Sequence, residues 1–152
     1  MKFILFVLTA FFVIVVACNK DKFLTKPTIK IKSLNTEFVP LNGNLIITLE
    51  CTDKEGDVQD SVIIIKRRLN RRVVTTLRDT LRYKFPQFPN TPRTEVIATL
   101  DYQTILSAQS PPNIPGTNQK ELDTLILKLA VRDRAGHTSD TITTNRIIVF
   151  RQ

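Results

Sequence analysis

Asp123-Thr124-Leu125-Ile126-Leu127-Lys128-Leu129-Ala130-Val131-Arg132 decides the fold class. In an extended chain successive side chains point to opposite faces, so Leu125, Leu127, Leu129 and Val131 line one face. Such a stretch is a strand with that face in a core. Working back, Leu45, Ile47, Leu49 and Cys51 repeat the pattern, with Thr48, Glu50 and Thr52 opposite. In Thr28 to Leu34, Ile29 and Ile31 alternate with Lys30 and Lys32, whose charges suit an exposed sheet edge. Val62-Ile63-Ile64-Ile65 is a short apolar block of the kind buried on both sides, within a central strand from Val58 to Arg68.

The segments between these runs carry turn chemistry. Asn42-Gly43-Asn44, Asp53 to Asp57 and Asp133-Arg134-Ala135-Gly136-His137 reverse the chain, the last of them into a final strand from about Ser139 to Phe150. Asn70 is expected to reverse it into Arg72 to Asp79, making a hairpin with a basic tip of Lys66, Arg67, Arg68, Arg71 and Arg72. Pro86, Pro89 and Pro92 exclude a central strand from Tyr83 to Pro92, which reads as a crossing segment. Thr94 to Leu100 turns Val96, Ala98 and Leu100 inward, and Asp101 can cap a single helical turn reaching Ala108. The fold class is mainly β. About seven short strands predict an immunoglobulin-like two-sheet antiparallel sandwich, although the Cys and Trp hallmarks of that fold are absent. An α+β arrangement or a lipocalin-like barrel are the alternatives.

The N-terminus has a separate meaning. Lys2 precedes Phe3 to Ala17, apolar apart from Thr9, which is the charge and hydrophobic run of a secretory signal. A spanning helix needs about 20 apolar residues, and this run stops after roughly sixteen at Asn19-Lys20-Asp21-Lys22. Val15-Val16-Ala17-Cys18 resembles the bacterial lipobox, which implies diacylglycerol on the Cys18 sulfur and a membrane anchor at the cell envelope, in the outer membrane. The expected organisation is a signal peptide at 1–17, the lipidated Cys18 and a leash to residue 27, and one sandwich domain at 28–152. Without residues 1–17 the chain keeps 21 basic and 14 acidic side chains, a balance of +7. An exported protein seldom meets nucleic acid, so none is expected as a partner. Envelope proteins, anionic surfaces and glycans are the partners in view. With Cys18 acylated, Cys51 has no partner within the chain and is expected as a buried, inert thiol.

Thr52-Asp53-Lys54-Glu55-Gly56-Asp57 and Val131-Arg132-Asp133-Arg134-Ala135-Gly136-His137-Thr138-Ser139-Asp140 resemble the turns of immunoglobulin-like or cadherin-like modules in lipoproteins of the Bacteroidetes group. The resemblance loosely covers the chain after Cys18. It implies envelope location and a binding or structural role.

Four groups of residues are candidates for chemistry. Asp53, Glu55 and Asp57 in one turn and Asp133 in another fall at the same end of such a sandwich, where four carboxylates and nearby carbonyls can hold calcium. The alternative is that each Asp bonds its own turn backbone. Arg67, Arg68, Arg71 and Arg72 can hold an anion by paired guanidinium contacts, or form a solvated tip. Tyr83, Phe85, Phe88 and Tyr102 can stack on a sugar or plug the open end of the sandwich. His137 lies near Ser139 and Asp140 in sequence, but no G-x-S-x-G or H-E-x-x-H motif accompanies them, and adjacency does not make a triad. The expectation is a non-catalytic, membrane-anchored binding or scaffolding lipoprotein, with an accessory carbohydrate-binding lipoprotein of an outer-membrane uptake system as the alternative.

Overall fold

The computed structural model describes residues 25–76 and 78–151. The signal peptide, Cys18 and most of the leash therefore lie outside the described residues. Among the described residues the elements are β1 (Thr28–Leu34), β2 (Phe38–Val39), β3 (Asn44–Thr52), β4 (Ser61–Arg68), β5 (Thr80–Lys84) and β6 (Arg93–Asp101). A one-turn helix α1 (Tyr102–Ile105) follows, then β7 (Asp123–Arg132), β8 (Ile142–Thr143) and β9 (Ile147–Val149).

The strands form a two-sheet β-sandwich. One sheet has the order β1-β3-β6 and the other β2-β9-β7-β4-β5, with β8 also paired to β7. If β1, β3 and β6 are strands A, B and E, and β9, β7, β4 and β5 are G, F, C and C′, this is the immunoglobulin-like order. The facing sides carry the residues whose alternation marked them. Leu45, Ile47, Leu49 and Cys51 of β3 are fully buried, as are Leu125, Leu127, Leu129 and Val131 of β7. Burying one such side chain stabilises the fold by about 1.5–3 kcal/mol before the entropy of ordering is counted, so these two strands dominate the core. Among the described residues β1 pairs only with β3 and is an edge, as its lysines suit.

Five expectations need correction. The pairing is not wholly antiparallel, because β2 runs parallel to β9. Between β1 and β2 the chain changes sheets at Asn35, whose amide binds both the Asn44 carbonyl and the Ile46 N–H and so closes the first sheet. The expected hairpin partner at 72–79 is irregular, and β4 pairs instead with Thr80–Lys84. The reason lies at Asn70, which donates to the Leu122 carbonyl at 2.7 Å and accepts from Thr124 N–H, clamping the end of β4 to the start of β7. A tight reversal there is lost. The apolar block of β4 alternates, with Val62 and Ile64 buried and Ile65 exposed, because this sheet has a core on one face only.

The final strand is broken into β8 and β9. Thr144, buried between them, accepts from Leu127 N–H through its hydroxyl and donates its own N–H to the Leu127 carbonyl. This pins the chain to β7 while the next residues leave the ladder. Asp101 does cap α1, accepting from Thr104 N–H at 2.7 Å, but the helix ends at Ile105 and not at Ala108.

Candidate functional site

The two acidic turns meet where β3 and β7 end. One carboxylate oxygen from each of Asp53, Asp57 and Asp133 lies within 4.8 Å of the others. Asp53 and Asp133 are each 1% exposed, so two of the three charges sit away from water. Arg134 N–H donates to the Asp57 carbonyl and joins the two turns, while Asp53 N–H donates to the Pro92 carbonyl and fixes the first turn to the segment before β6. Glu55, expected with them, is exposed and stands outside the cluster. Gly56 turns the chain back at φ +69°, leaving the preceding residue on the outside of the bend.

Turn-capping accounts for part of this cluster. Asp53 Oδ2 accepts from Asp57 N–H at 3.2 Å. Asp133 Oδ1 accepts from His137 N–H at 2.7 Å, and its Oδ2 lies 3.0 Å from His137 Nδ1. Asp53 Oδ1 is buried and has no hydrogen-bond partner. Burial pushes the Asp53 carboxyl above its ordinary range; the Asp57 N–H bond opposes this, and the Asp57 and Glu55 carboxyls add to the rise. His137 is thus spoken for by Asp133. Ser139 Oγ accepts from Val131 N–H and donates to the Asp140 carbonyl, so these side chains do not form a nucleophile and base pair.

The four arginines do not converge. Side chains of β4 alternate, so Lys66 and Arg68 turn inward while Arg67 faces solvent. Arg68 binds Asp123 at 2.8 Å and the Ile105 carbonyl at 2.6 Å, in a nearly dry pair that Arg151 joins from the other side of Asp123. Lys66, 4% exposed, donates to the Thr104 carbonyl at 2.6 Å. Burial pushes its ammonium down to about 8, with Arg68 and Arg78 adding to the fall and Asp79 and Asp123 resisting it. Arg71 and Arg72 line a separate cleft of about 690 Å3 with Lys120. The expected anion site of Arg67, Arg68, Arg71 and Arg72 is therefore not assembled. A period of two along β4 was the signal that separates Arg67 from Arg68.

A cleft of about 600 Å3 runs between β5 and β6. Tyr83, Phe85 and Phe88 line one side, and Phe85 and Phe88 meet edge to face with centroids 6.5 Å apart. Tyr102, expected with them, is buried elsewhere and donates its hydroxyl to the Phe150 carbonyl at 2.6 Å. The other side is made by residues 94–99 without a gap. A cleft over a sheet face touches alternate residues; one that touches six in a row follows the edge of a strand. Among the described residues that edge is open, since β6 pairs only with β3, and β5 opposite pairs only with β4. Thr91, on the cleft rim, donates its N–H to the Gly56 carbonyl and so ties the cleft to the acidic turn. The aromatic wall was marked in the sequence by Tyr83, Phe85 and Phe88, whereas the β6 wall was not, because an open strand edge leaves no side-chain motif.

Cys51 is a free, buried thiol, pushed up to about 12 by burial and by the neighbouring Glu50, which makes it a poor nucleophile.

No family model matches the sequence, and no curated protein matches it. Among solved structures, the chain is similar to the sporulation control protein Spo0M from Bacillus subtilis, with a TM-score of 0.46 and 10% identity, over 85% of this chain and 51% of that one. It is also similar to a variant of the SrpA adhesin from Streptococcus sanguinis, with a TM-score of 0.39 and 18% identity, over 85% of this chain and 60% of that one. The chain thus spans about half the length of the first and three-fifths of the second, and no ligand or partner is carried over from either.

Proposed function

We propose that the chain is a non-catalytic binding module, tethered through lipid on Cys18 to a membrane of the bacterial envelope, which receives an extended polypeptide segment along the open edge of β6. The observation that carries this reading is the unbroken run of β6 residues along the cleft. A segment laid there adds a strand, drawing affinity from main-chain hydrogen bonds and specificity from alternate side chains. Ile97, 67% exposed, and Tyr83, 41% exposed, offer apolar contact to such side chains. Lys84 and the Glu95 carboxylate, which Lys32 already pairs, place a charge of each sign at the rim. An open, partly apolar edge invites pairing unless a partner or charge covers it.

The meeting of Tyr83, Phe85 and Phe88 favours a second reading, stacking on a glycan. Phe85 and Phe88 are half-buried and packed against the core, which leaves Tyr83 as the main free ring face and weighs for the polypeptide.

Photo-crosslinking in the native envelope separates the two. A photoreactive residue in place of Ile97 is expected to capture one defined segment of an envelope polypeptide, and the same residue at the fully exposed Val73 is not. Equal capture from both positions contradicts the reading. Glycan-array binding lost in Phe85→Ala and Phe88→Ala, with no peptide captured at position 97, transfers the cleft to the carbohydrate reading.

A further inference from the structure

We infer that Asp53, Asp57 and Asp133 bind a divalent cation, calcium by its chemistry, at the end of the sandwich where β3 and β7 stop. This does not depend on what occupies the β5–β6 cleft.

Calcium takes oxygen ligands at about 2.3–2.6 Å, so two oxygens on one ion lie at most roughly 5 Å apart. Three carboxylate oxygens from two turns, each within 4.8 Å of the others, satisfy that limit without rearrangement. Proximity of acids alone is common at protein surfaces. Here Asp53 Oδ1 supplies the second observation: it is buried and lacks any hydrogen-bond donor, while Oδ2 of the same carboxylate is used by Asp57 N–H. A buried oxygen left unmatched costs stability that native folds rarely accept, and a cation among the three carboxylates supplies the missing partner. It also offsets the repulsion of three like charges. Glu55, exposed on the same turn, adds negative potential at the entrance. His137 holds Asp133 through both oxygens, which keep further lone pairs for an ion.

Magnesium requires a near-ideal octahedron and gives up water reluctantly, whereas calcium tolerates irregular sets that mix carboxylates, carbonyls and water. Two short turns from different sheets suit the second ion better.

The test uses the full chain, purified in detergent and stripped of metal with a chelator. Calorimetric titration with calcium chloride at neutral pH is expected to show saturable binding of one ion. Calcium at about a hundredfold over its Kd is expected to raise Tm by roughly 8 °C. Asp53→Asn and Asp57→Asn are expected to abolish both signals; Asp57 is only partly buried, so its variant keeps the fold, as circular dichroism checks. Absence of heat and of any Tm change in the unaltered chain at millimolar calcium overturns the inference, and that arm needs no variant. A Tm rise of undiminished size in Asp57→Asn overturns the site, and a magnesium response as large as calcium's overturns the choice of ion.

Discussion

Lys66 and Arg68 show how two residues of one strand can carry charge into a sandwich. Each has its head group against a backbone carbonyl, Thr104 for Lys66 and Ile105 for Arg68, so both stitch β4 to the turn around α1. Arg68 has a counter-ion in Asp123, and removing one partner of such a buried pair costs about 3–5 kcal/mol. The buried Lys66 ammonium stands near 8 against an ordinary 10.5. Between those values the unfolded chain keeps a proton that the folded chain has lost, so stability rises with pH. Cys51 acts in the opposite sense above about pH 9, where the unfolded thiol ionises and the folded one does not. The window that isolates Lys66 is therefore pH 8 to 9, across which urea unfolding is expected to show a gain of about 1 kcal/mol relative to Lys66→Met. A variant that gains as much as the unaltered chain shows that Lys66 is not the group responsible. None of this burial was legible beforehand, because a Lys-Arg-Arg run at a strand end reads as surface until the alternation is followed through it.

At the scale of elements, β3 and β7 were legible residue by residue, since four inward apolar positions at period two leave one register. β5 was not: of Thr80 to Lys84 only Leu81 is buried, too little to mark a strand. The break between β8 and β9 was equally hidden, because a threonine buried for its hydroxyl looks like any strand threonine. Asp53, Asp57 and Asp133 come together because turns at the ends of β3 and β7 fall at one end of this topology. Glu55 was misplaced because sequence spacing says nothing of which residues face out of a bend. Gly56 makes that bend possible. Its φ of +69° is costly for an L-residue, and a Cβ there would sit 2.8 Å from the Thr91 backbone. Gly116 has φ +76° with nothing within 4 Å of a Cβ. In urea titrations Gly116→Ala is expected to cost about 1 kcal/mol and Gly56→Ala clearly more, since backbone must shift as well. Equal costs contradict the close packing of the acidic turn against the cleft rim.

At the scale of the whole molecule, the sandwich has one end where the acidic turns meet and one side where, among the described residues, two sheet edges stay open. β1 begins at Thr28, so a leash from Asn19 to Pro27 can span at most about 30 Å from the proposed anchor. With the proposed anchor, the open strand edge would lie within reach of neighbours on the same membrane, whose high local concentration would compensate for a modest intrinsic affinity. Everything in this arrangement depends on the tether at Cys18. The most direct measurement is labelling of cells with a fatty acid, followed by membrane fractionation of the unaltered chain and of Cys18→Ser. The unaltered chain is expected to carry the label and to sediment with membranes, and the Cys18→Ser chain to carry no label and not to be retained there as a processed lipoprotein. An unlabelled wild-type chain, or label that persists in Cys18→Ser, contradicts the tether.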